Sequence, residues 1–453
     1  MERKIAKRSM LDGPRASASG RLIRRLAVTF TTALVGLLRA QAPGPPLSLQ
    51  EAQALALKNH PQVLAAQATY LRANEVTTEM RSAYFPAING VMTGALANID
   101  ARLGAGVLND PRLFNHFGTG ITLSQLITDS GRTPNLVANA RFLAQASQAN
   151  YQANRYDVLL AVDEAYYEVL LSQQLIDVAQ QTVATRQTVV DQVTQLTRNQ
   201  LKSQVDLSFA QVNLSDAQLM LIRAKDRLAT AYANLGQALG TNQVREYQLS
   251  RQPMPPPPPD NPDPLISEAY RNRPELASLR LQREADQKFV YAERDLKRPT
   301  VSLLGVGGAL PWIEPGNANP NIPPEYGSAA VNVNIPIFNG RLYSAREQAA
   351  EYQLQATNQR VRDLEDRIAR DVRTAWEHAR TAFEAIAPTE QLLKQANLAL
   401  NLSQGRYDLG LASIVELTQA QLGQTQAQVQ NLNSQYDYTE AYAGLQYTIG
   451  NLR

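Results

Sequence analysis

Apolar residues recur with a helical period through most of this chain and with a period of two in only four short places. From Leu47 to Tyr84 the helical pattern uses Leu49, Ala52, Leu55, Ala56, Val63, Leu64 and Leu71, with Ser48 placed as an N-cap. Pro61 predicts a break between a short and a longer helix, and Pro86 ends the pattern. Pro86–Asn98 reads as a strand, 99–117 as a loop, and Gly120–Ile127 as a second strand. A 67-residue helical pattern follows over Arg132–Arg198, then one of 38 residues over Ser203–Gly240. The same series then returns. It comprises a helix over Pro264–Arg298, a Gly-rich strand over Val301–Ala309, a loop over Leu310–Ser328 holding Trp312, and an alternating strand, Val331–Ile337. Long helical patterns over Arg341–Gln404 and Ser413–Gly450 complete it.

The recurrence extends to single residues. Leu201, Ser203, Asp206, Leu207, Ala210 and Gln211 stand 210 positions before Leu411, Ser413, Glu416, Leu417, Ala420 and Gln421. Tyr232, Ala233, Leu235 and Gly240 keep that offset from Tyr442, Ala443, Leu445 and Gly450. Asn59-His60-Pro61 matches Asn272-Arg273-Pro274 at an offset of 213. The chain is thus a duplicated helical hairpin, with a first repeat over 43–252, a polyproline-II connector over 253–264 and a second repeat over 265–453. At 1.5 Å per residue each long helix would reach about 100 Å, and each return helix about 57 Å. The return helices therefore cover only half of their partners. The shorter helices before the strands have lengths suited to the other half, which predicts one continuous and one end-to-end column per repeat.

In the strands, Ile121 and Leu123 alternate with Thr122 and Ser124, and Val331, Val333, Ile335 and Ile337 with Asn332, Asn334 and Pro336. One apolar and one polar face suit a barrel with lipid outside and water inside. Four strands cannot close a membrane barrel, so several chains must contribute. The N-terminus supports export: nine Lys/Arg and two acids precede Pro43, Leu26–Leu38 is mostly apolar, and Ala40-Gln41-Ala42 offers a cleavage site. Residues 1–42 thus read as a signal peptide. Their +7 charge exceeds the total of +3, leaving a mature chain near −4 and no basic surface for nucleic acid. No later run of 18 apolar residues occurs, and with no cysteine there are no disulfides or thiolate metal sites.

No enzyme signature, cofactor motif or metal-ligand spacing is present. His60, His116 and His378 are scattered, and Gly305–Gly308 lies in a strand pattern without the Lys-Ser/Thr of a phosphate loop. The candidate functional residues are the carboxylates just past the two turns, Asp206 and Glu416. In a symmetric oligomer each would form a ring able to favour cations; alternatively each merely complements a helix N-terminus.

With L-S-L-Q-E-A at 47–52, N-H-P at 59–61, I-P-I-F-N-G-R at 335–341 and Y-D-L-G-L-A-S-I-V-E-L at 407–417, the chain resembles the TolC-like outer-membrane efflux family. The resemblance implies a mainly α homotrimer whose long hairpins form an α-barrel tunnel in the periplasm. Four strands per chain would join a twelve-stranded transmembrane β-barrel in outer-membrane lipid. It also implies a passive exit duct working with a periplasmic adaptor and an inner-membrane pump. The family's adaptor-contacting tip matches Leu409, Gly410, Leu411 and Ser413, whereas the first tip has Gln200, Leu201 and Ser203 and lacks the glycine. The family's entrance ring matches Glu416, with Gln419 where the best-known member carries a second acid. Tyr407 and Asp206 match two members of the family's closing contact, and Ala412 stands in place of its arginine. A periplasmic adaptor or a non-channel coiled-coil structural protein is the rival reading; the former would have one hairpin between lipoyl-like β halves.

Overall fold

The computed structural model describes residues 46–96, 115–241, 246–313 and 323–452. The signal-peptide segment lies outside the described residues, as does most of the expected loop 99–117. The elements run α1 (Leu49–Asn59), α2 (Pro61–Arg81), β1 (Ala87–Ala95), β2 (His116–Thr128), α3 (Arg132–Arg198) and α4 (Gln204–Ala238). They continue as α5 (Asp263–Asn272), α6 (Pro274–Asp295), β3 (Thr300–Ile313), β4 (Glu325–Asn334), α7 (Leu342–Asp408) and α8 (Ile414–Thr448). Ser48 caps α1 in a reciprocal box with Glu51, and Pro61 begins α2 at a position where its missing N–H is harmless.

Helix α3 packs against α2 over one half and α4 over the other, while α7 is covered in the same way by α6 and α8. The two repeats meet where α3 touches α6 and α8. Two glycines make the end-to-end columns possible. Gly240 (φ +70°) follows α4 and abuts the start of α2, where an added Cβ would lie 2.7 Å from His60 Cα. Gly450 (φ +74°) follows α8 and abuts the start of α6, with Asn272 C 2.9 Å from the same hypothetical atom. Neither site has room for a side chain. Around the first junction Val162, Tyr166, Val169, Leu235 and Leu239 form the core, and around the second Leu276, Ile368, Val372 and Leu445.

The strands form one antiparallel sheet in the order β1-β2-β3-β4, joining the repeats through β2 and β3. Paired residues share a face. Ile88 opposes Leu123 and Leu303 opposes Val331, which gathers the apolar set on one side; Asn89 opposes Thr122 and Ser302 opposes Asn332 on the other. Strands β2 and β3 exceed their expected lengths, whereas β1 ends at Ala95, short of the expected Asn98. Trp312, expected in a loop, pairs with Phe117, because a bulge between Phe117 and Thr119 lets Pro311 pass without breaking the ladder. Strand β4 starts at Glu325 and stops at Asn334, before Pro336. Helix α7 ends at Asp408 rather than Gln404, since Gly405 is held within its last turns.

The proline connector is pinned at two points: Tyr438 on α8 donates its hydroxyl to the Pro256 carbonyl, and Trp376 on α7 donates to Pro259 (2.7 Å).

Candidate functional site

The two hairpin turns share one backbone solution. Beyond α7, Leu409, Gly410 and Leu411 donate their N–H groups to the carbonyls of Gly405, Tyr407 and Arg406. Beyond α3, Asn199, Gln200 and Leu201 donate to Gln195, Thr197 and Leu196, each 210 positions earlier. Gly410 sits at φ +71°, and Gln200 takes the same left-handed conformation at φ +64°. The first turn therefore closes without glycine. Leu201, Leu409 and Leu411 are exposed at the tips.

The two matching carboxylates differ in what they touch. Ser203 caps α4 by accepting from the Asp206 N–H (3.1 Å), and the Ser203 N–H donates back to the Asp206 carboxylate (3.2 Å). Asp206 is thus spent on its own helix end. Ser413 accepts from the Glu416 N–H (3.2 Å), but the Glu416 carboxylate turns outward and pairs with Arg406 Nε at 3.2 Å. Both members of that pair are substantially exposed. The first repeat has Leu196 at the position of Arg406, so only the second tip carries this pair. Gln419 is exposed on the same helix.

Tyr407 is only 3 % exposed. Its ring packs in a cluster with Val189, Val190, Val193 and Ala210 of the first hairpin and Ile414 and Leu417 of the second, with Ala412 at the margin. Lys202 Nζ lies 4.8 Å from the ring centroid. The hydroxyl has no hydrogen-bond partner, and burial, then the nearby Asp206 and Asp408 charges, pushes its pKa up. Beside the cluster the hairpins are joined by Asn213 Nδ2 donating to Thr418 Oγ1 (3.2 Å) and Gln192 Nε2 to Asp408 (3.5 Å). Arg406, Lys202, Asn213 and Thr418 were not among the sequence candidates. Arg406 alone left a signal, as a cation four residues before Gly410 facing an acid six residues after it.

The same fold carries an acidic region higher up. Arg227 on α4 makes two bonds to Glu168 on α3, at 2.7 and 3.0 Å. Glu440 on α8 lies near this pair and near Glu164 and Asp437; burial first, and then these like charges, raise its pKa to about 7.

Comparison with known proteins gives this arrangement a relationship. The model of the family described as outer membrane efflux protein matches residues 53–241 and 265–451, one match in each half of the chain. The chain belongs to the outer membrane efflux protein family. Outer membrane protein TolC of Vibrio cholerae is 24% identical over 439 residues, covering 95% of this chain and 96% of the relative. Alkaline protease secretion protein AprF of Pseudomonas aeruginosa is 23% identical, covering 95% and 89%. Among solved structures, the CmeC outer membrane channel of Campylobacter jejuni superposes with a TM-score of 0.75 at 16% identity, covering 94% of each chain. The fold is that of the outer-membrane tunnel channels, mostly helical with one small antiparallel sheet. As a member of the outer membrane efflux protein family, the chain is an outer-membrane protein with its helical part in the periplasm.

Proposed function

We propose that this chain forms a homotrimer that serves as the passive outer-membrane exit duct of a tripartite efflux or type I secretion system, opened at its helical tips by a periplasmic adaptor coupled to an inner-membrane pump. One observation carries the reading. The four-stranded sheet ends on two unpaired strands, β1 and β4, and both expose apolar side chains such as Ile88, Met92, Val331 and Val333. Such edges join with like edges or aggregate, and in lipid every backbone group must be bonded. Three copies joined β1 to β4 remove every edge and give twelve strands. The helical half offers a parallel argument: α4 exposes Val205, Phe209, Val212 and Leu219 at spacings of four, three and seven, an apolar seam for a neighbouring helix.

In this reading Leu409, Gly410, Leu411 and Ser413, with Gln200, Leu201 and Ser203, meet the adaptor. Tyr407 holds the hairpins inward through the apolar cluster around its ring and not through Asp206, which caps its own helix, while Glu416 and the uncharged Gln419 set the charge of the entrance.

Introducing charge at the tip tests the adaptor contact. Leu411→Asp leaves the buried core intact because Leu411 is 67% exposed. It should lower efflux by tenfold or more, about the effect of one desolvated charge at an interface, while assembly yield stays normal. Normal efflux would remove this tip from the contact. A purified protein that is monomeric in detergent and non-conducting in planar bilayers would remove the duct.

A further inference from the structure

Twelve residues before α3 ends at Arg198, a cation is buried beside a cavity that has no carboxylate in its walls. Arg186 on α3 is 6% exposed, and its Nη1 is buried with no hydrogen-bond partner. It lines a cavity of about 110 Å³ between α3, α7 and α8 whose walls contain no carboxylate. Gln421 on α8, 4% exposed, lines the same cavity, and its Nε2 is a second buried donor without a partner. Several of the other polar groups there are engaged. Thr185 and Thr425 donate to the carbonyls of Gln181 and Gln421 in their own helices, and Gln424 donates to Asn397.

Burial pulls the Arg186 pKa down, but a guanidinium starts so high that it stays charged at any physiological pH. A buried charge needs a partner, and the cavity lining offers neutral amide and hydroxyl oxygens but no carboxylate to balance the guanidinium. We propose that the cavity binds a small monovalent anion, a halide such as chloride, held by the Arg186 guanidinium and the Gln421 amide. One positive charge in the walls matches one negative charge, and the space accommodates a halide with water beside it. Because α3 belongs to the first hairpin and α7 and α8 to the second, the bound anion ties the hairpins together one helical turn from the Tyr407 cluster. This rests on packing within one chain, and its failure would leave the channel reading untouched.

The test is thermal unfolding of the detergent-solubilised assembly in sodium bromide or chloride against sodium gluconate, whose anion is too bulky for the cavity, at equal ionic strength. The Tm of the unaltered protein should rise with halide. Arg186→Met should abolish that increment, and Gln421→Leu should raise the half-saturating halide concentration about fivefold, the effect of one lost hydrogen bond. Crystals soaked in bromide should show an anomalous peak between Arg186 Nη1 and Gln421 Nε2. An equal halide response in Arg186→Met would overturn the proposal, as would bromide-soaked crystals showing only water; the crystal result decides alone if that variant does not assemble.

Discussion

At Gln200 the backbone adopts a conformation that a residue with a Cβ resists. Left-handed φ costs such a residue about 1 kcal/mol relative to glycine, and at Gly410 nothing lies within 4 Å of a hypothetical Cβ, so conformation alone sets the cost there. Gln200→Gly should therefore stabilise the protein by about 1 kcal/mol and Gly410→Ala should destabilise it by a similar amount, read as opposite shifts in thermal or denaturant midpoint. Equal signs would show that side-chain contacts, not φ, govern the turns. The same exchange occurs where the sheet enters the long helices. Ser130-Gly131 and Gly340-Arg341 both hold two successive positive φ values, with the glycine second in one repeat and first in the other. Glycine marked Gly410 as a turn in the sequence; Gln200 carried no such mark, and only the 210-residue register placed it. The turn forms there because the flanking helices pack in antiparallel and the capping hydrogen bonds close, which outweighs the local preference. Residues in contact across the hairpins were less legible: Lys202 and Asn213 look like ordinary surface residues until the second hairpin is placed beside them.

For α3, length and period were enough: it spans the residues its pattern marks, because no glycine or proline interrupts Arg132–Arg198 beyond Pro134 in its first turn, where proline is tolerated, whereas the expected helix Pro264–Arg298 is split at Pro274 into α5 and α6. Strand ends were harder, since a bulge can carry proline and tryptophan along a ladder that composition alone would end. Packing also creates chemistry that no single element contains. Glu440 on α8 faces Glu164 and Glu168 on α3, Asp437 on its own helix and the cation Arg227 on α4. Its folded pKa of about 7 lies above the unfolded value of 4.5, so the folded state binds more protons in between, and stability falls as pH rises through that window. Asp163 acts in the same direction: burial raises it to about 6, against the opposing bond from Gln53. Glu440→Gln should accordingly stabilise the protein at pH 8 by on the order of 1 kcal/mol, discounted for partial exposure, and make no difference at pH 4. The check is the pH dependence of Tm for both proteins. A gain of equal size at both pH values would mean that shape, not charge, is responsible.

Across the whole molecule a single exposed carboxylate acquires meaning only through symmetry. One Glu416 is a partly exposed acid in an ion pair with Arg406, and such pairs contribute little to stability. Three of them around the entrance of a closed tube would form a ring of fixed charge whose field adds in the narrow opening. Arg406 then sets how much of that charge a passing ion meets. In each chain it stands 3.2 Å from Glu416, neutralising the carboxylate at close range while leaving a dipole at longer range. Removing the cation should unmask the ring. Arg406→Ala should strengthen block of single-channel current by multivalent cations several-fold in planar bilayers, and Glu416→Ala should weaken it. The double variant should fall between the two single variants, because Glu416→Ala leaves Arg406 as an uncovered cation that itself repels multivalent cations. All of these differences should shrink as salt is raised toward 1 M, where the screening length is about 3 Å. If block is the same in all four proteins, the entrance charge lies elsewhere and Glu416 is only a capped helix residue.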